Sequence, residues 1–277
     1  MSLRINTNVP SLTAQNRLTG NKEALDHVQN KLSSGSRIIR SMDDAAGLAI
    51  SENLRATLRS TEQNIKEANN GVYLLQTADS ALNFITNMVI RMKELATSAA
   101  SDTNGDRERG YLDNEVQSLK EELNRTAKAT VFNGRSLLTG EGGDVAVQVG
   151  PRNNPEVDRI SIAANFDINA DTLGIASLEV ASVEGARESL DTLMSALDVI
   201  AKSRGTIGAG EAALDNTIKN LMQYQETLSG AFSQIRDADI AAETAEQAKY
   251  NILTQAGVAI LSQANQTPAM ALKLLQG

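Results

Sequence analysis

The chain has no cysteine and no tryptophan, a single histidine, and aromatic residues at only 3% of its 277 positions. Without cysteine no disulfide framework exists, which suits an extracellular bacterial protein that avoids disulfides and suits a cytosolic protein equally well. A globular core of this length normally leans on aromatic side chains for buried area. Their scarcity points instead to a thin helical core lined by Ala, Leu and Ile. The formal net charge of −8 comes with no concentrated basic face, which argues against nucleic acid as a partner. No run of about 18 apolar residues occurs, so no membrane insertion is expected. The opening Met1-Ser2-Leu3-Arg4-Ile5-Asn6-Thr7-Asn8 lacks the apolar stretch of a cleavable signal peptide, so export would need another route.

What is present is heptad order at both ends. Leu18, Leu25 and Leu32 recur every seven residues, with Ala14 and Val28 at the alternate position. Ile207, Leu214, Leu221, Leu228 and Ile235 form a second series, followed by Ala245, Ile252 and Ala259 in a shifted register. Two sequence-distant helices that each carry one narrow apolar stripe are expected to zip together as a coiled coil. The arms, about 1–40 and 238–277, are rich in Ala, Asn, Gln, Ser and Thr. Their short stripes bury little area against the entropy of ordering, so pairing between arms and between copies is expected to go together. Such a chain reads as a building block of an assembly rather than a vessel for chemistry.

Between the arms, a first helix over about 4–34 is expected to end at Ser33-Ser34-Gly35. Ser41-Met42-Asp43-Asp44 fits a capping box that opens a second helix. Leu54, Ala68, Leu75, Leu82, Val89 and Ala96 carry that helix for roughly 55 residues, or about 80 Å. After the turn at Ser101–Gly105, Leu112, Val116, Leu119 and Leu123 mark a third helix. Then the period changes to two. Val145, Val147, Val149 and Ile160, Ile162 flank Gly150-Pro151-Arg152-Asn153-Asn154-Pro155, which reads as a β-hairpin. Helical spacing returns with Ala186, Leu190, Leu193, Leu197 and Ile200, and Gly205, Gly208 and Gly210 read as a helix irregularity. The fold class is therefore mainly α: a long antiparallel helical hairpin or coiled-coil bundle with one small β-hairpin element. Leu75, Leu82, Val89, Leu214, Leu221 and Leu228 are its expected intramolecular core.

The residues that bear chemistry have structural readings. Asp43 and Asp44 stand in the first turn of a helix, where carboxylates cap and oppose the dipole. His27 has neither cysteine nor a second histidine to share a metal with. No H-E-x-x-H, G-x-x-x-x-G-K-[ST] or G-x-G-x-x-G occurs. Asn124-Arg125-Thr126 and Asn265-Gln266-Thr267 match glycosylation sequons by spelling alone. No catalytic residue, cofactor site or metal site is expected.

Ile5-Asn6-Thr7-Asn8, Leu32-Ser33-Ser34-Gly35-Ser36-Arg37-Ile38 and Asp43-Asp44-Ala45-Ala46-Gly47-Leu48-Ala49-Ile50 resemble the N-terminal blocks of bacterial flagellins. Phe132-Asn133-Gly134 resembles the block ahead of that family's hairpin. Ile252-Leu253-Thr254-Gln255-Ala256-Gly257 and Gln263-Ala264-Asn265-Gln266 resemble its C-terminal block. The match spans essentially the whole chain and resembles a minimal flagellin without large variable outer domains. The resemblance implies an N-terminal arm of an inner-tube domain with its linker (1–42), a rod-like coiled-coil domain (43–237, hairpin at about 135–182) and a C-terminal arm (238–277). It implies a secreted homopolymer, the helical filament of the flagellum, with Leu18, Leu25, Val28, Leu32, Ile252, Ala259 and Ile260 at polymer contacts. It further implies type III export, an export chaperone on the C-terminal arm, filament cap and junction proteins, and the vertebrate Toll-like receptor for flagellin, met through Arg91, Leu95 and Glu115. Two alternatives stand beside it: a hook–filament junction protein, and an intracellular coiled-coil signalling hairpin, which would have a tight helical turn where this chain has its β element.

Overall fold

The computed structural model describes residues 7–276, with side chains through residue 266; Ile5 and Asn6 of the first flagellin-like block lie outside the described residues. The elements run α1 (Val9–Ser34), α2 (Ala45–Ala99), α3 (Asp106–Ala129), β1 (Val131–Phe132), β2 (Arg135–Ser136), β3 (Val145–Gln148), β4 (Arg159–Ile162), α4 (Val183–Arg236) and α5 (Ile240–Gln276). They form two compact units. A terminal unit takes the chain through Ala56 and again from Thr227, and a central unit takes Thr57–Glu226. The dividing points thus fall inside α2 and α4 rather than at 42 and 237.

In the central unit α2 buries one continuous seam: Thr61, Asn64, Ala68, Gly71, Leu75, Ala78, Leu82, Ile85, Val89, Met92, Ala96 and Ala99, in alternating steps of three and four. That is a heptad seam, and its period of 3.5 imposes a left-handed twist on the packed helices. Helix α4 answers with Ala186, Leu193, Ala196, Ile200, Ile207 and Leu214. The two run antiparallel: a Cβ added to Gly71 would meet Leu214, one added to Gly210 would meet Leu75 (both at 3.1 Å), and Asp79 holds the Arg204 guanidinium at 2.8 Å. Leu75, Leu82, Val89 and Leu214 are fully buried. Leu221 packs against this core only partly buried, and Leu228 is half-buried in the terminal unit. Helix α4 is uninterrupted through Gly205, Gly208 and Gly210, so the expected irregularity is absent. Helix α3 closes the bundle with Val116, Leu123 and Ala127.

Residues 131–182 hold two small antiparallel strand pairs instead of one. The expected hairpin pairs β3 with β4, Val145 opposite Ile162 and Val147 opposite Ile160. The other joins β1 and β2 through Asn133 (φ 48°) and Gly134 (φ 80°), the left-handed pair a tight two-residue hairpin turn requires. Beyond β4 an irregular strap buries Ala164, Phe166, Ile168, Ile175 and Val180. Three donors fix it. Lys120 Nζ, itself only 9% exposed, donates to the carbonyls of Ala176 (2.6 Å) and Leu178 (3.3 Å). Gln117 donates to Leu178 O, and the Ala170 amide donates to Asn124 Oδ1. The side chain in the first sequon is therefore occupied in holding the strap.

In the terminal unit Asn8 caps α1 by accepting the Ser11 amide at 3.1 Å, and Gly35 closes its C-terminus at φ 67°, a conformation that favours glycine. The cap of α2 is Asp44, not Ser41: Asp44 Oδ1 accepts the Gly47 amide at 2.8 Å. Asp43 is spent on the preceding turn.

Candidate assembly and recognition surfaces

Helices α1 and α5 pack antiparallel, with contacts from Asn8 against Ala264 to Lys31 against Glu243. Ser11 Oγ lies 2.7 Å from Asn265 Oδ1, Leu18 lies 3.2 Å from where a Cβ on Gly257 would be, and Lys31 Nζ is 3.0 Å from Glu243. Asn8 Nδ2 also reaches Ala264 O, at 2.9 Å. The register puts Leu18, Leu25, Val28 and Leu32 on the α1 stripe turned toward α5, with Val28 only 6% exposed. Val28 is covered within the subunit, while Leu18, Leu25 and Leu32 are half-buried against α5. Among the described residues of α5, Glu243, Gln247, Tyr250, Thr254, Gly257, Leu261 and Ala264 are half-buried in steps of three and four, with Glu246 half-buried beside them. Most are small or polar, so the apolar series Ala245, Ile252, Ala259 does not mark the face turned toward α1.

Those apolar residues point outward. Ile252 is 66% exposed and Ile260 59%, and Ala259 is exposed beside them. Val9, Leu12, Leu253 and Val258 add to the same unpartnered set. A groove of about 500 Å³ runs between the helices, walled by Ala14, Leu18, Leu253 and Ile260 among others. Exposed apolar side chains on both helices make this pair a candidate interaction surface.

The turn leading from α1 into α2 is locked by charge. Asp43 accepts the amides of Ile39 (3.0 Å) and Arg40 (2.9 Å) through one oxygen and faces His27 Nε2 at 3.0 Å through the other. The Arg40 amide chiefly, then the Ile39 amide and His27, pull its carboxyl from 3.8 down to about 2. His27 is thus part of a structural clasp. Nearby, Arg236 pairs with Glu52 at 2.6 Å and Arg37 donates to Ile235 O at 2.8 Å. Because the folded state favours the Asp43 carboxylate, the stabilisation is present above about pH 4 and is lost as pH falls toward 2. Asp43→Asn is expected to lower the melting temperature at neutral pH and to flatten its decline across that acid window. Melts of both proteins at pH 7 and pH 3 check this.

On the central unit, Arg91 bridges Glu115 at 2.9 Å and Glu94 at 3.1 Å, and both carboxylates raise the guanidinium's pKa. Arg91 and Glu115 are about half-exposed, whereas Leu95 is 4% exposed and belongs to the core. Of the three, only the charged pair lies at the surface. Next to it Phe84, Met88, Leu119 and Arg125 line an open groove of about 520 Å³. Among the described residues no group of three His, Asp or Glu side chains is placed to hold a metal, and no helix is long and apolar enough to cross a membrane.

These surfaces belong to a chain whose two halves both match one family. The bacterial flagellin N-terminal helical region matches residues 5–142, and the bacterial flagellin C-terminal helical region matches residues 190–275. A flagellin of Halalkalibacterium halodurans is 37% identical over 272 residues, which cover 98% of this chain and 99% of that one. A flagellin of Listeria monocytogenes is 33% identical over 286 residues, 99% of each. The crystal structure of Bacillus cereus flagellin superposes with a TM-score of 0.50 at 30% identity, covering 56% of this chain and 88% of that one. The chain belongs to the bacterial flagellin family.

Proposed function

We propose that this chain is a structural subunit that polymerises into the helical filament of the bacterial flagellum and serves motility, with no catalytic role. The observation that carries the reading is identity to flagellins of matching length across both arms and the centre, 37% in one case. That match favours the filament subunit over a junction protein. The physical complement is the outer side of the α1–α5 pair, where Ile252, Ala259 and Ile260 with Val9, Leu12 and Val258 are the polymer contacts. A heterologous contact repeated without closure builds a helical filament. The half-buried, largely polar seam between the arms covers little apolar area, so neighbouring subunits complete the burial. Purified protein under polymerising conditions is expected to give long unbranched filaments by electron microscopy; short stubs or rings would favour the junction reading.

The subunit's place outside the cell brings further partners into the proposal. Export through the flagellar type III apparatus, a chaperone that covers the exposed apolar side of α5 before assembly, and cap and junction proteins that meet the same arms are part of the proposal, and membership of the family supports them. Recognition by the vertebrate Toll-like receptor for flagellin rests on the half-exposed Arg91–Glu115 pair, with Leu95 supporting the helix from beneath. Arg91→Ala or Glu115→Ala is expected to reduce receptor activation by purified monomer several-fold while leaving its circular dichroism unchanged. Full activation by both variants would remove these residues from the contact.

A further inference from the structure

The sequence contains three Asn-Gly dipeptides, Asn70-Gly71, Asn104-Gly105 and Asn133-Gly134. This is the pair most prone to spontaneous loss of the side-chain amide, since glycine offers the least hindered backbone nitrogen. The fold treats the three differently. Asn70 lies in mid α2, where the Gly71 amide belongs to the helix ladder and Gly71 is buried. Asn104 is clamped: its Nδ2 donates to Ser98 O at 2.6 Å, and its backbone carbonyl accepts from Arg109 at 2.5 Å. Asn133 and Gly134 are both exposed at the tip of the β1–β2 turn. Among the described residues the Asn133 carboxamide has no hydrogen-bond partner and the Gly134 amide is outside every ladder. The strands that hold this turn are two residues each, so opening it costs little.

From this contrast we infer that Asn133 is a site of spontaneous covalent modification, deamidating through attack by Gly134 while the other two Asn-Gly pairs are protected by the fold. The Gly134 nitrogen loses its proton to solvent base and bonds to Asn133 Cγ. The side-chain nitrogen takes a proton from solvent, its bond to Cγ breaks, and ammonia leaves. Water then opens the resulting five-membered imide at either carbonyl, restoring the peptide as aspartate or as its β-linked isomer. Ordinary aspartate fits the turn, which accepts Asp-Gly as well as Asn-Gly. The β-linked isomer adds a backbone atom between Phe132 and Arg135 and breaks their pairing. Either product places a new negative charge on the rim of a groove that Glu67 and Arg135 also line.

The test is incubation of the full-length protein in mildly alkaline buffer, followed by proteolysis and mass spectrometry that separates Asp from its β-linked isomer. A parallel sample is kept in concentrated urea. In the folded protein the peptide containing Asn133 is expected to lose its amide while those containing Asn70 and Asn104 retain theirs. In urea all three should react at comparable rates. Equal rates at the three sites in the folded protein, or an intact Asn133 after Asn104 has reacted, would overturn the inference.

Discussion

Replacing Ile252 and Ile260 together with Asp will yield a folded subunit that makes no filaments. Both side chains are more than half-exposed on α5, so an added carboxylate stays hydrated in the isolated chain and should leave its circular dichroism and melting temperature unchanged. In a polymer the same positions would be covered, and an unpaired buried carboxylate costs several kcal/mol at each contact. Because the contact recurs at every subunit, that cost falls on each addition step. Sedimentation should show monomer where the unmodified chain sediments as polymer. Val28→Asp provides the contrast. It places the charge on the α1 stripe, at a position 6% exposed, and should melt the α1–α5 pair before assembly is at issue. Filaments formed by the double Asp variant would place the assembly surface elsewhere.

Leu82→Ala is expected to destabilise the central unit by about 3 kcal/mol, the usual range for removing a fully buried leucine being about 2–5 kcal/mol. Leu82 is 0% exposed at the middle of the α2 seam, flanked by Ala78, Ile85 and Val89. Those neighbours are held by long helices that cannot collapse readily into the space left behind. The effect should appear as a lower urea midpoint with little change in slope, read by helical circular dichroism. A shift below about 1 kcal/mol would mean that the helices re-register to fill the gap.

The central heptads were legible in the sequence because their residues are Leu, Val and Ala at spacings of seven, and burial follows them at Leu75, Leu82, Val89 and Leu214. Asn64 and Gly71 on the other half of the α2 seam were not, since they carry no apolar signal; a Cβ at Gly71 would come within 3.1 Å of Leu214 and Val147. The β1–β2 hairpin could have been found, as Asn-Gly between Val131-Phe132 and Arg135-Ser136 is a strong turn signal. Its strands are too short for alternation to show. The cap at Asp44 was hidden by a neighbouring Ser41 that fitted a capping box equally well, and which oxygen reaches the Gly47 amide depends on the turn Asp43 builds. The α5 face was only half legible. Periodicity reports which residues share a face, and it does not report which face meets α1. Ile252 and Ala259 share a stripe, and that stripe points away from α1.

The central claim is that the apolar residues left outside the α1–α5 pair are the polymer contacts. Helical reconstruction of filaments by electron cryo-microscopy, at a resolution that shows side chains, tests it most directly. The account predicts Ile252, Val258 and Ile260 of one subunit packed against a neighbouring subunit, with Leu18 still seated against Gly257 of its own chain. Filaments in which those three side chains face water, or in which Leu18 has left its own α5 to contact a neighbour, would contradict it.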